Sequence, residues 1–119
     1  MQSMMKILIV EDNPKARAMI KRLLLREFEQ LEKVVECEDG QAAIDIYPDF
    51  QPDWVLMDIN LPVLDGLQAA ERICQTYQDA RIIMVTTYDD VEYRDAASKA
   101  GACAYVLKED LEQLTGIIR

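Results

Sequence analysis

Four apolar runs in this chain end abruptly on polar side chains of types that could act together. Ile7 to Val10 runs into Glu11 and Asp12, Val55 to Met57 into Asp58, Ile82 to Val85 into Thr86, and Tyr105 to Leu107 into Lys108. Gathered in one place, two like charges about 4 Å apart repel by on the order of 4 kcal/mol at an effective dielectric of about 20. Three carboxylates therefore need a cation to stay ionised near neutrality, and Lys108 supplies only one positive charge. The chain has no histidine, and hard carboxylate oxygens without nitrogen or sulfur donors suit Mg²⁺. A carboxylate nucleophile, a divalent ion, a hydroxyl and an ammonium are the inventory for phosphoryl transfer to an aspartate. Asp58 would attack phosphorus in line, with Mg²⁺, Thr86 and Lys108 neutralising the equatorial oxygens.

Taken singly, each group has a plainer reading. Glu11 and Asp12 could be solvated acids ahead of a helix N-terminus, Thr86 a cap or turn residue, and Lys108 an ordinary surface lysine. Coincidence at four strand ends is what favours the joint reading.

The elements that must position these groups follow from periodicity. Lys6 to Val10 is a continuous β-branched run, as expected of a strand covered on both faces. Val34-Val35, Trp54 to Met57, Ile82 to Val85 and Tyr105 to Leu107 make five strands in all. Between them Ala16, Met19, Ile20 and Leu23 share one helical face, as do Ala70, Ile73, Cys74 and Tyr77, and then Tyr93, Ala96, Ala97 and Ala100. Asn13-Pro14 starts the first helix and Gly101, after Lys99-Ala100, suits the left-handed residue that ends a helix, while Gly40 and Gly66 fall near helix starts. A further helix is expected over Gln41 to Tyr47 and a last one from about Asp110 to the end. Alternating strand and helix predicts an α/β fold, a doubly wound five-stranded parallel sheet with helices on both faces. In such sheets ligands bind beyond the carboxyl ends of the strands, where the strand order reverses. All the polar groups named above fall on that edge.

The 119 residues suit one domain spanning 1–119, and a composition 50% hydrophobic and 29% charged is that of a globular chain. A net charge of -9 opposes direct nucleic-acid binding, so control of DNA would need another segment. Cys37, Cys74 and Cys103 are odd in number and widely spaced, which argues against a zinc site or a disulfide framework and suits core residues in a reducing cytosol. No apolar run is long enough to span a membrane, so a cytoplasmic location is expected.

Glu11-Asp-Asn13, Met57-Asp-Ile-Asn-Leu-Pro62, Asp65-Gly-Leu-Gln-Ala-Ala70, Val85-Thr-Thr87 and Ala104-Tyr-Val-Leu-Lys108 together resemble receiver domains of two-component response regulators. The resemblance covers essentially the whole chain and implies a flavodoxin-like (βα)5 fold. It implies that Asp12 binds Mg²⁺ directly, that Glu11 acts largely through water, that Asp58 is both ligand and phosphoacceptor, and that the Asn60 carbonyl completes the protein's ligands. By the same resemblance Thr86 and Lys108 contact the phosphoryl group, Tyr105 turns inward when Thr86 moves, and Asn60 and Tyr88 tune phosphoryl lifetime. Bulky Tyr88 is expected to slow attack by water. A tyrosine at a strand edge is the plainer reading of Tyr105.

The Asp65 to Ile73 run and the Lys108-Glu109 pair look most like receivers that precede a helix-turn-helix DNA-binding domain. Glu109 stands where many receivers have proline, and Thr87 where they commonly have a small residue. The implied partner is a sensor histidine kinase, since a chain without histidine cannot be its own histidine donor. Dimerisation through the fourth helix, fifth strand and fifth helix is implied by resemblance, and the short last helix is expected of a piece of a longer protein.

Rival readings are weaker on residue grounds. A magnesium phosphohydrolase generally has a second acid two residues past its nucleophile, where this chain has Asn60. A flavin binder needs glycine and hydroxyl residues after the first strand, where this chain has Glu11-Asp-Asn-Pro14. A receiver-like module that binds partners without phosphorylation remains open.

Overall fold

The computed structural model describes residues 4–119. Five strands, β1 (Met5–Val10), β2 (Leu31–Cys37), β3 (Trp54–Met57), β4 (Ile82–Thr86) and β5 (Ala104–Leu107), alternate with helices α1 (Pro14–Glu27), α2 (Gly40–Phe50), α3 (Gly66–Thr76), α4 (Val91–Ala100) and α5 (Gln113–Ile118). All neighbouring strands pair in parallel in the order β2-β1-β3-β4-β5. The order reverses between β1 and β3, so the crevice of a doubly wound sheet opens between the residues that follow those two strands.

Strand alternation divides the core in two. Leu8, Val10, Val55, Met57, Ile82 and Met84 face Ala69, Ala70, Ile73, Ala97 and Ala100, which places α2, α3 and α4 on one side. Ile7, Ile9, Leu56, Ile83, Val85 and Val106 face Ile20, Leu23, Leu24, Leu114 and Ile118, which places α1 and α5 on the other. The central strands β3 and β4 are buried at every position, which is why they read as unbroken apolar runs.

Several expectations need correction. The strand expected at Val34-Val35 runs from Leu31 to Cys37; as an edge strand it is only partly buried, with Val34 and Val35 packed on opposite faces of the sheet, and its Glu and Lys residues hid its length. Met19 is 53% exposed, because α1 turns Leu24 rather than Met19 towards the sheet. Tyr77 caps α3 from an extended conformation instead of continuing it, and α2 runs on past Tyr47 with Pro48 inside it. The last helix begins at Gln113, after a 3-10 turn at Lys108–Asp110. Of the three cysteines only Cys37 is buried, whereas Cys103 is exposed.

The chain between β3 and α3 carries one strained residue. Val63 has φ 66° and is 83% exposed, and Leu64 N–H donates to Pro62 O at 2.7 Å across it. This is a γ-turn with positive φ at its centre, a conformation costly for a β-branched side chain. Because Val63 packs on nothing large, relief of strain outweighs the extra freedom of glycine in the unfolded chain, and Val63→Gly is expected to add about 1 kcal/mol of stability. Urea unfolding should show a higher midpoint at unchanged slope; an equal or lower midpoint would refute the strain.

Candidate functional site

The turn after β1 starts α1 and positions two acids differently. Asn13 caps the helix, its Oδ1 accepting the Lys15 and Ala16 N–H groups at 2.9 and 3.0 Å, with Pro14 at the first helical position. Glu11 is 1% exposed, and its Oε2 accepts the Asn13 N–H at 3.1 Å. Its main-chain carbonyl accepts from Arg17 Nη1 at 2.8 Å. Asp12 is exposed.

On the neighbouring strand the Asp58 N–H donates to Val10 O at 3.0 Å, fixing the two strand ends together. Asp58 is 6% exposed; its Oδ1 accepts the Ile59 N–H at 2.7 Å and its Oδ2 accepts from Lys108 Nζ at 2.9 Å. Lys108 reaches in from the end of β5, and the same ammonium lies 2.6 Å from Glu11 Oε1. That second contact is an ion pair without the alignment of a hydrogen bond, so Glu11 Oε1 is a buried oxygen with no directed donor. Oxygens of Glu11, Asp12 and Asp58 lie within 4.8 Å of one another. Three converging carboxylates with one ammonium among them leave uncompensated negative charge, and as hard oxygen donors they fit a divalent cation such as Mg²⁺.

Burial holds the Glu11 carboxyl above its ordinary range, against the opposing pull of Lys108 and the Asn13 N–H, and the nearby Asp58 charge adds to the rise. Burial alone would lower the Lys108 ammonium, but its contacts with Glu11 and Asp58 together prevail and hold it above the usual lysine value. Lys108 is thus firmly cationic and Glu11 is the strained member of the trio.

A groove of about 440 Å³ opens over these groups, lined by Glu11, Asp12, Asn13, Pro14, Asp58, Asn60, Thr87, Tyr88 and Lys108. Six of the site residues named from the sequence, Glu11, Asp12, Asp58, Asn60, Tyr88 and Lys108, thus meet at one strand edge. Thr86 is adjacent but fully buried, and its Oγ1 accepts the Tyr88 N–H at 3.3 Å; Thr87, not Thr86, walls the groove. Tyr105 is half-buried, and its hydroxyl donates to Tyr88 O at 2.7 Å. Arg17 was not singled out by sequence, since it lies one helical turn past the cap and nothing in its spacing marks it; Thr87 was named only as a departure from the small residue common in receivers. A larger cavity, about 650 Å³, lies at the opposite edge of the sheet between residues such as Tyr47, Tyr77 and Arg81. It holds no comparable cluster of acids, and the chemistry lies with the smaller groove.

The loop that carries Asp58 into α3 is held by close backbone contacts. Gly66 N–H donates to Ile59 O at 2.8 Å and Gly40 N–H to Leu64 O at 3.0 Å. A Cβ at Gly66 would overlap the Asp58 carbonyl oxygen, and one at Gly40 the Leu64 carbonyl oxygen. Asp65 caps α3 through the Gln68 N–H at 2.9 Å. The Lys108–Glu109 peptide is trans, as are all peptides among the described residues.

The model of the response regulator receiver domain matches residues 7–119. The chain belongs to that family. Chemotaxis protein CheY of Bacillus subtilis is 38% identical over 103 residues, covering 87% of this chain and 84% of that protein. Transcriptional regulatory protein DegU of Brevibacillus brevis is 35% identical over 108 residues, covering 91% of this chain but 45% of that protein. The chain spans about half the length of the regulators of this second kind that it matches. Among solved structures, a LuxR-family DNA-binding response regulator from Staphylococcus aureus superposes with a TM-score of 0.88 at 27% identity, covering 97% of this chain and 96% of that one. The receiver is therefore a signalling switch of a two-component system, with transcriptional regulators among its relatives. No helix among its described residues is long and apolar enough to cross a membrane.

Proposed function

We propose that this receiver is phosphorylated on Asp58 by a sensor histidine kinase and that the modification changes a protein contact that serves transcription control. The observation that carries the reading is the Lys108 ammonium held between the buried carboxylates of Asp58 and Glu11, at 2.9 and 2.6 Å, with Asp12 beside them. An Asp58 oxygen forms the new bond to phosphorus as the bond from phosphorus to the donor nitrogen breaks, and the leaving imidazole takes up a proton. Lys108 orients the Asp58 carboxylate through its hydrogen bond to Oδ2, and then stabilises charge on the phosphoryl oxygens. Mg²⁺ held by Glu11, Asp12, Asp58 and the Asn60 carbonyl would supply further positive charge to those oxygens.

Thr86 is the second phosphoryl contact in this reading. Because Thr86 is fully buried and does not line the groove over Asp58, reaching the phosphoryl group requires the β4–α4 loop to move. Tyr105, tied to the same loop through Tyr88 O, moves with it as the switch residue. The new charge, about -1.5 to -2, drives that rearrangement. The changed surface is α4, β5 and α5, a face suited to pairing with a second copy. The acidic receiver itself does not touch nucleic acid; a DNA-binding segment beyond it would. The cytoplasm is where such a kinase and regulator meet.

Intact mass after incubation with acetyl phosphate tests the reading. One phosphoryl addition is expected in the presence of Mg²⁺, none after chelation, and none on Asp58→Asn. Addition to Asp58→Asn, or none to the parent chain, would refute it.

A further inference from the structure

Tyr88 is a junction for contacts that lead away from the phosphoacceptor. It walls the groove over Asp58, its N–H is on Thr86 Oγ1, and its carbonyl accepts from Tyr105. Its ring is stacked on Tyr93, with centroids 4.7 Å apart and planes 15° from parallel. Tyr93 lies in the first turn of α4, so its ring is carried by a helix while Tyr88 sits in the loop before it. A loop side chain without such a partner samples several rotamers; a near-parallel stack of half-buried rings biases it towards one. The next residue of the helix, Arg94, lies 4.6 Å over the Tyr105 ring and pairs with Asp89 at 2.7 Å, so the turn that carries Tyr93 is itself tied to the loop.

From this arrangement we infer that Tyr93 is a positioning residue, holding the Tyr88 ring at the rim of the groove and so prolonging the life of the phosphoryl group on Asp58. The inference rests on the phosphorylation of Asp58 proposed above. Hydrolysis forms a bond from water oxygen to phosphorus as the bond from phosphorus to the Asp58 oxygen breaks; the carboxylate is regenerated and the water protons pass to phosphate and solvent. In-line attack requires the water to come from the side opposite Asp58, which is the groove mouth. A ring fixed at the rim narrows that approach, and a freed ring leaves it open for part of the time. Tyr93 touches neither Asp58 nor the water, and acts only through Tyr88.

The test phosphorylates the chain with acetyl phosphate and Mg²⁺, removes the donor, and follows loss of the phosphoryl mass with time. Tyr93→Ala is expected to shorten the lifetime about two- to tenfold, the range a single aromatic stack can shift a population. Tyr93→Phe keeps the stacked ring and should keep the lifetime. Tyr93→Leu, which retains apolar volume on α4 without a flat ring, should behave like Tyr93→Ala and guards against a folding defect. In a Tyr88→Ala background, Tyr93→Ala should have no further effect. Equal lifetimes for Tyr93→Ala and the parent, a full effect in the Tyr88→Ala background, or a Tyr93→Phe lifetime as short as that of Tyr93→Ala would each overturn the role of Tyr93. A labelled parent whose lifetime ignores Tyr93 sinks this inference alone, whereas a parent that takes up no phosphoryl group sinks the phosphorylation reading with it.

Discussion

Lys108→Ala is expected to destabilise the domain by about 3 kcal/mol near neutral pH, the range seen when one partner of a buried ion pair is removed. The Glu11 and Asp58 side chains are only 1% and 8% exposed, so water entering from the groove would replace the ammonium only in part. The loss should depend on pH in a defined direction. The Glu11 carboxyl is already held above its ordinary value of 4.5 by burial, and losing Lys108 removes an influence that opposes this. Between the unfolded value and the raised folded one, the folded chain binds a proton that the unfolded chain releases, so stability falls as pH rises through that window. The deficit of Lys108→Ala is therefore largest above the window and shrinks as acid protonates Glu11. Urea unfolding of parent and variant over a pH series measures it. Added Mg²⁺ should recover part of the deficit, because binding to the folded state alone stabilises it. Phosphoryl uptake from acetyl phosphate should fall about a hundredfold, as when one preorganised donor to a developing charge is lost. Equal midpoints for the two chains at all pH values would show that Lys108 does not balance these carboxylates.

Gly66→Ala should be comparably damaging although it changes no functional side chain. A methyl group there would overlap the Asp58 carbonyl oxygen and stand 2.9 Å from its carbon and 3.0 Å from Ile59 Cα. Every neighbour is backbone, so none can swing aside, and the Asp58 main chain or the start of α3 has to move. The expected loss is about 3 kcal/mol, at the upper end for overpacking, together with slower phosphoryl uptake because the carboxylate is displaced relative to Lys108. The same change at Gly116 provides the contrast. A Cβ there meets nothing within 4 Å, and within α5 alanine should stabilise by about 0.5 to 1 kcal/mol. If both substitutions shift the urea midpoint alike, the close approach of Gly66 to Asp58 is not a constraint.

How much of this was visible beforehand differs from residue to residue. Asp58 was legible because β3 is buried on both faces and so reads as an apolar run that ends at a carboxylate. Glu11, Asp12 and Lys108 were legible as members of a group, since parallel strands must deliver their ends to one edge, whereas Asn60 and Tyr88 were named only through the resemblance to receiver domains. Gly66 was visible only as a helix start; its closeness to the Asp58 carbonyl depends on a loop that folds back through a γ-turn. That turn has valine at its centre, and no local preference of valine announces positive φ.

The sequence by itself determined the succession and parallel direction of the strands, the edge on which the site lies and the chemical types assembled there. Those follow from hydrophobic period and chain connectivity, which are properties of one segment or of neighbours in sequence. Only the tertiary structure decided that Glu11 is buried while Asp12 is exposed, that Thr87 rather than Thr86 walls the groove, and that Met19 and Cys103 face solvent. It alone brought Lys108 to Asp58 across 50 positions and laid Tyr88 on Tyr93. Burial, charge balance and ring stacking depend on distances between elements, and those distances are set when the helices close over the two faces of the sheet.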